Sequence, residues 1–180
     1  SVDRIVEDGF DILKIASCSF TDWPLLEKIA TVDMPIVGST AGVEYSDIDK
    51  VVAFLTHRDK DFALMACVAQ YPTPNAALQL NQIDILQRRY PQLRSGYSTH
   101  EDPHETMPVA MSIAKGAALF EKHVGVPTDT YPLNAYSASP QQARLWLDAA
   151  RNAYAVAGAV GERIDPSAEE LAALRDLRAL

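Results

Sequence analysis

Residues 62–100 read FALMACVAQYPTPNAALQLNQIDILQRRYPQLRSGYSTH, and this stretch decides the fold. Phe62–Val68 is an unbroken apolar run of strand length, the pattern of a strand covered on both faces. Tyr71-Pro72-Thr73-Pro74 then turns the chain, because proline fixes φ and restricts the residue before it. Apolar residues recur at helical spacing over Ala76–Tyr90, and Leu93–Tyr97 returns to strand length. A strand, a helix and a second strand in this order form a βαβ unit, whose right-handed crossover builds a parallel sheet.

The same alternation extends both ways. Ile12–Ala16 and Pro35–Gly38 are strand-length runs upstream, and Ala117–Glu121 is one downstream. Helical periodicity covers Trp23–Ala30, Ser46–Thr56, His104–Lys115 and Pro140–Ala157. Thr21-Asp22, Ser46 and Ser139-Pro140 are helix-start signals at three of these boundaries. Five β-α units exclude all-β and all-α folds, and 180 residues of 19.7 kDa suit one domain. Residues 1–158 form this α/β body. From Gly158 the character changes through Gly161 and Asp165-Pro166-Ser167 to the charge-rich Ala168–Leu180, which predicts a linker and surface helix over 159–180. Two architectures remain: an open five-stranded parallel α/β sheet, complete at this length, or part of an eight-stranded βα barrel, which needs about 250 residues.

Composition excludes several functions. Sixteen Lys and Arg against twenty-four Asp and Glu give a net charge of −8, and Arg88-Arg89 is the only basic doublet, so nucleic-acid binding is not expected. No apolar run reaches about 18 residues, since the longest, near Val109–Phe120, is broken by Lys115, so no membrane span is expected. Cys18 and Cys67 belong to no metal-binding spacing and read as reduced core thiols of a cytoplasmic protein. The first residues, Ser-Val-Asp-Arg-Ile-Val-Glu, look neither like a natural start nor like a leader and suggest a piece of something longer.

In both architectures ligand chemistry gathers at the carboxyl ends of the strands. The first delivers Lys14 and Ser17, the second Ser39 and Thr40, the third Tyr71, the fourth Ser98 and His100, and the fifth Lys122 and His123. Flat-sheet tips lie too far apart to share one ligand, whereas barrel tips surround one mouth, so this convergence favours the barrel. Two imidazoles on adjacent strand ends suit one divalent metal, and Lys14 with several hydroxyls suits a phosphate or carboxylate. Lys14 interrupts the apolar Ile12–Ala16, and an ammonium is costly to bury without a partner. Hydrogen-bonded structural histidines and a snorkelling lysine are the plain alternatives. Gly38-Ser39-Thr40-Ala41-Gly42 could cradle a phosphate through its backbone N–H groups, although it lacks the GK[ST] of a P-loop. His57 and His104 read as surface residues.

Six signatures, in order and with similar spacing, resemble the sialic acid synthase (N-acetylneuraminate synthase) family: Asp11-Ile-Leu-Lys-Ile-Ala-Ser-Cys18, Asp22-Trp-Pro-Leu-Leu26, Ser39-Thr40, Tyr71-Pro-Thr-Pro74, Gly96-Tyr-Ser-Thr-His100 and Glu121-Lys-His123. The resemblance implies a (β/α)8 TIM barrel of which this chain supplies about strands 4–8, with 159–180 running towards an absent C-terminal domain. It implies a transferase of carbohydrate biosynthesis that condenses phosphoenolpyruvate with an acylamino sugar aldehyde into a nonulosonic-type 2-keto acid, assisted by a divalent metal, manganese or else magnesium. His100 and His123 would be the metal ligands. Lys14, Ser17, Ser39, Thr40 and Ser98 would hold phosphoenolpyruvate, and Tyr71 would line the sugar side. The missing strands would come from the parent chain or another copy, in a homo-oligomer.

Departures from the family pattern bear on the acceptor. Ser19 stands for the usual acid, Ala66 for a His, Ala69 for Asn or Ser, Thr99 for the Asp of Ser-Asp-His, and Tyr131-Pro-Leu-Asn134 for Gly-Pro-Asp-His. Fewer polar groups on the sugar side imply an altered acceptor. A non-catalytic sugar- or anion-binding or scaffolding barrel is the alternative.

Overall fold

The computed structural model describes residues 2–158, 161 and 163–178; of the terminal segment, residues 159, 160, 162, 179 and 180 lie outside the described residues. Five strands, β1 (Leu13–Ile15), β2 (Ile36–Ser39), β3 (Phe62–Ala66), β4 (Arg94–Thr99) and β5 (Leu119–Lys122), pair in parallel and in chain order. Helices alternate with them: α1 (Val2–Glu7) before β1, then α2 (Trp23–Ile29), α3 (Tyr45–Thr56), α4 (Asn81–Arg89), α5 (Met107–Ala114), α6 (Pro140–Ala157) and α7 (Ala168–Arg178).

Local chemistry sets these boundaries. Asp22 caps α2 by accepting from the Leu25 N–H, and Ser139 with Gln142 forms a reciprocal capping box at α6. α4 begins at Asn81 rather than Ala76, because Asn75–Ala77 closes a 3₁₀ turn and Gln79 takes a positive φ of 51° that interrupts the helical path. The short α1 carries too little periodicity to be expected from sequence, yet it buries Val2.

Side chains alternate across the sheet. Leu13, Ile15, Ile36, Phe62, Leu64, Ala66 and Tyr97 point outward and form the main core with Leu26, Ile29, Val51, Leu55, Ile83 and Leu86 of α2, α3 and α4. Phe20 presses so closely on β2 that a Cβ at Gly38 would lie 2.6 Å from its ring. A second cluster joins Val109 and Ile113 of α5 to Trp146 and Ala150 of α6, with Phe120 against it. α7 has no buried residue.

The inner face decides between the two architectures. β1 and β5 are four strand spacings apart, about 19 Å in a flat sheet. Lys14 on β1 nevertheless forms an ion pair with Glu121 on β5. Two such side chains meet only if the sheet curls, so the five strands form an open half-barrel. Among the described residues, β1 and β5 are its edges.

Candidate functional site

The concave face closes around a cavity of about 360 Å³ at the strand carboxyl ends. Lys14, Ser17, Ser39, Tyr71, Ser98, His100 and His123, all expected at the site, line it. The period of two explains the gathering: Lys14, Ser98 and Glu121 sit at inward positions beside the outward core residues Leu13 and Ile15, Tyr97 and Phe120, and Ser39 takes the inward position at the end of β2.

One side of the cavity is built on Lys14. Its ammonium is paired with Glu121, and the Ser98 hydroxyl donates to the same carboxylate oxygen at 2.8 Å. Burial works to raise the Glu121 carboxyl, but the hydrogen bonds from Lys14 and Ser98 outweigh it and hold the group below the usual carboxylate range. Ser17 accepts from the Ala41 N–H at 3.0 Å, which leaves its hydroxyl proton free to donate. Ser39 is 2% exposed and its hydroxyl has no hydrogen-bond partner. Such a group costs about 1–3 kcal/mol unless something pairs with it.

Thr40 does not join this set. Consecutive strand residues face opposite ways, so Thr40 turns from the cavity and donates to the Met65 carbonyl at 3.0 Å. The expected backbone cradle is not formed either, because the N–H groups of Thr40, Ala41 and Val43 already bond to Met65, Ser17 and Thr40. Lys122, one residue from inward-facing Glu121, likewise points away and pairs with Glu101. Cys18 is exposed at the cavity rather than buried in the core, while Cys67 is buried there and its thiol is pushed up by burial.

The imidazole side is aromatic. The His100 and His123 rings lie 5.1 Å apart, with Tyr71 4.4 Å from His100 and Tyr136 5.0 Å from His123. The Tyr71–Pro72 peptide is cis. Nδ1 of His100 is 3.1 Å from the Val68 carbonyl, which can only accept, so Nδ1 carries the proton and Nε2 presents a lone pair. Burial lowers the affinity of His100 for a second proton, and the gain from the Val68 carbonyl does not reverse this. A pair of imidazoles, one with its tautomer fixed, suits a borderline divalent ion. Among the described residues no third His, Cys, Asp or Glu joins these two in a cluster that could hold a metal ion.

Glu121 and Tyr136 were not expected as site residues. Glu121 was visible only as part of the Glu121-Lys-His123 motif. Tyr136 reaches the cavity because its loop is tied back by the Ala138 N–H donating to the His123 carbonyl. His57 and His104 are on the surface as expected, and no helix of the described residues is long and apolar enough to cross a membrane.

Comparisons with known proteins agree with this architecture. A crystal structure from Chromobacterium violaceum, described as a spore coat polysaccharide biosynthesis protein E, is 55% identical with a TM-score of 0.93, over 98% of this chain and 52% of that one. The N-acetylneuraminic acid (sialic acid) synthetase of Leptospira borgpetersenii, solved with citrate, is 27% identical with a TM-score of 0.86, over 99% of this chain and 61% of that one. The N-acetylneuraminate-9-phosphate synthase of Drosophila melanogaster is 35% identical over 62% of this chain and 30% of its own length. The chain thus spans between 30% and 61% of these proteins. With the NeuB family profile matching residues 1–162 over the same five βα units, the chain belongs to the NeuB family.

Proposed function

We propose that this half-barrel carries the phosphoenolpyruvate and metal side of a synthase that condenses phosphoenolpyruvate with an acylamino sugar aldehyde, releasing phosphate and giving a nonulosonic-type 2-keto acid. The observation that carries the reading is the buried, unpartnered Ser39 hydroxyl in the same cavity as Lys14, Ser17 and Ser98, beside the imidazole pair. The Ser17 and Ser39 hydroxyls, with Lys14 and Ser98 once they release Glu121, suit an anion with several acceptor oxygens. The synthases among the similar proteins support the same chemistry.

Lys14 would give up Glu121 to an incoming phosphate or carboxylate, and the hydroxyls of Ser17, Ser39 and Ser98 would complete its hydrogen bonding. That holds the enol carbon C3 facing the imidazole side, where the aldehyde must lie for the new C–C bond to form. Tyr71 and Tyr136 would wall the acceptor with aromatic surface. A divalent ion held by His100 and His123, manganese or magnesium, would supply Lewis-acid polarisation of the aldehyde carbonyl. Ala66 packs in the outward core and Thr99 bonds to the Tyr97 hydroxyl, so of the departures from the family pattern Ser19, Ala69 and Leu133 are the ones that support an acceptor with fewer polar contacts than sialic acid precursors make. The same proposal places the protein in the cytoplasm with free thiols, takes the remaining strands from the parent chain or another copy in a homo-oligomer, and runs 159–180 towards a further domain.

A binding barrel without turnover is the second reading, favoured by Glu121 occupying the ammonium that the anion needs. Phosphate release from phosphoenolpyruvate, measured with manganese and candidate sugar aldehydes on the full-length protein, separates the two. His100→Ala or His123→Ala should reduce release on the order of 100-fold or more, since Lewis-acid stabilisation is worth several kcal/mol. Sugar or phosphoenolpyruvate binding with no release under any acceptor would establish the binding reading instead.

A further inference from the structure

Behind the cavity, on the outward face of the sheet, lies a charged pair that the chemistry above does not use. Lys122 Nζ and Glu101 Oε1 are 2.9 Å apart, with side chains 5% and 0% exposed. The other Glu101 oxygen accepts from the Tyr97 hydroxyl at 3.2 Å, which in turn accepts from Thr99 Oγ1 at 2.9 Å. A buried ion pair brings little net stability over apolar packing, so its presence in this layer asks for another role.

Its position in the sequence supplies one. Glu101 directly follows His100, and Lys122 directly precedes His123. The pair therefore ties together the ends of β4 and β5 at the two residues that carry the imidazoles. The register sharpens this: Thr99, not Glu101, lies opposite Lys122 in the β4–β5 ladder. Strand pairing alone would set a neutral hydroxyl against the lysine, and the carboxylate reaches back from two positions further on. His100 is also held from the other side, its carbonyl accepting from the Thr73 N–H and its Nδ1 donating to Val68.

We infer that Glu101 and Lys122 are a positioning pair that fixes the separation and facing of His100 and His123, and through them the affinity for a divalent cation. The inference rests on the reading of the imidazole pair as a cation site. Groups that orient metal ligands typically change metal affinity about 10- to 100-fold when removed.

The test is manganese binding alone to the full-length protein, followed by the electron paramagnetic resonance signal of free Mn²⁺, with thermal unfolding recorded in parallel. The double variant Glu101→Gln, Lys122→Met removes both charges and so leaves no orphaned ion in the core. It should bind manganese about 10- to 100-fold more weakly while unfolding near the wild-type midpoint. The double variant Thr99→Asp, Glu101→Gln returns a carboxylate opposite Lys122 from the register position and should recover most of the affinity. Unchanged manganese affinity in the neutral pair overturns the inference. Should that variant not fold, Glu101→Asp keeps the charge and shortens its reach; weaker binding supports the tether and unchanged binding overturns it. The double variant His100→Ala, His123→Ala separates the two readings. Manganese binding that survives it removes the cation site itself, whereas binding lost there and intact in the neutral pair removes only the positioning role.

Discussion

Replacing Lys14 by Met probes the anion side most directly, because the structure fixes both what is lost and what is left behind. A hydrogen bond to a charged group is worth roughly 1.5–3 kcal/mol. At about 1.4 kcal/mol per tenfold, this gives roughly 10- to 150-fold weaker phosphoenolpyruvate binding. The Lys14 and Glu121 side chains are 32% and 38% exposed, so solvent screening places the direct loss towards the lower end. The residue left behind acts in the same direction. With the ammonium gone, Glu121 loses the hydrogen bond that held its carboxyl low, and whatever charge it keeps repels the anion. Adding Glu121→Gln to Lys14→Met should therefore recover part of the affinity. Glu121→Gln alone frees the ammonium from a partly exposed pair worth about 0.2–1 kcal/mol, which predicts binding about 1.5- to 5-fold tighter than wild type. Isothermal titration calorimetry of phosphoenolpyruvate into the full-length protein, with metal removed by chelator, reads all four states of this cycle. Wild-type affinity in Lys14→Met would take Lys14 out of the site. Binding weakened by Glu121→Gln would mean that the carboxylate orients Lys14 for the ligand rather than competing for it.

Other expectations test the placement of individual residues. Thr40→Val should leave phosphoenolpyruvate affinity within about twofold, since uniform contacts are absent when a hydroxyl bonds only to the Met65 carbonyl; a larger loss in titration would return Thr40 to the site. Gly96→Ala should destabilise the fold by about 1–3 kcal/mol, because the added Cβ would lie 2.6 Å from the Leu119 carbonyl oxygen and 2.9 Å from its Cβ. Denaturant unfolding checks this, and an unchanged midpoint would mean that β4 and β5 do not approach as described. The pH dependence follows from His100, whose affinity for a proton is lowered by burial. The unfolded chain then takes up this proton first as pH falls below about 6.5, so the stability contributed by the neutral imidazole is present above that pH and declines below it. Unfolding free energy measured across this range should fall less steeply in acid in His100→Asn than in wild type.

Strands and helices were legible where a strand core is an apolar run, as β3 is, and where a helix has its own period, both local properties; β4 reads RSGYST and runs on to Thr99, past the expected Leu93–Tyr97. Phe62–Val68 and Pro140–Ala157 needed nothing from elsewhere in the chain. The site was legible to the extent that strand ends carry polar residues, and misread where a neighbour was taken with its partner. Ser39 faces the cavity and Thr40 does not, because one step along a strand reverses the side chain. The same step separates Glu121 from Lys122. Apart from the Glu121-Lys-His123 motif, the signal for Glu121 lies on Lys14, 107 residues away.

That distant contact also accounts for what neither length nor periodicity could decide. Five parallel strands in chain order are compatible with a flat sheet, whose tips would scatter the hydroxyls, the ammonium and the imidazoles along one edge. The sheet must curl for Lys14 and Glu121 to meet, and the curl brings β1 chemistry to β5. An anion held at Lys14 then lies in the same cavity as His100 and His123, at the distance of one small ligand rather than of a sheet's width. In the proposed function it is curvature, rather than any single residue, that would let two substrates meet on this face, and the Lys14–Glu121 pair, a consequence of that curvature, would be the contact a bound anion replaces.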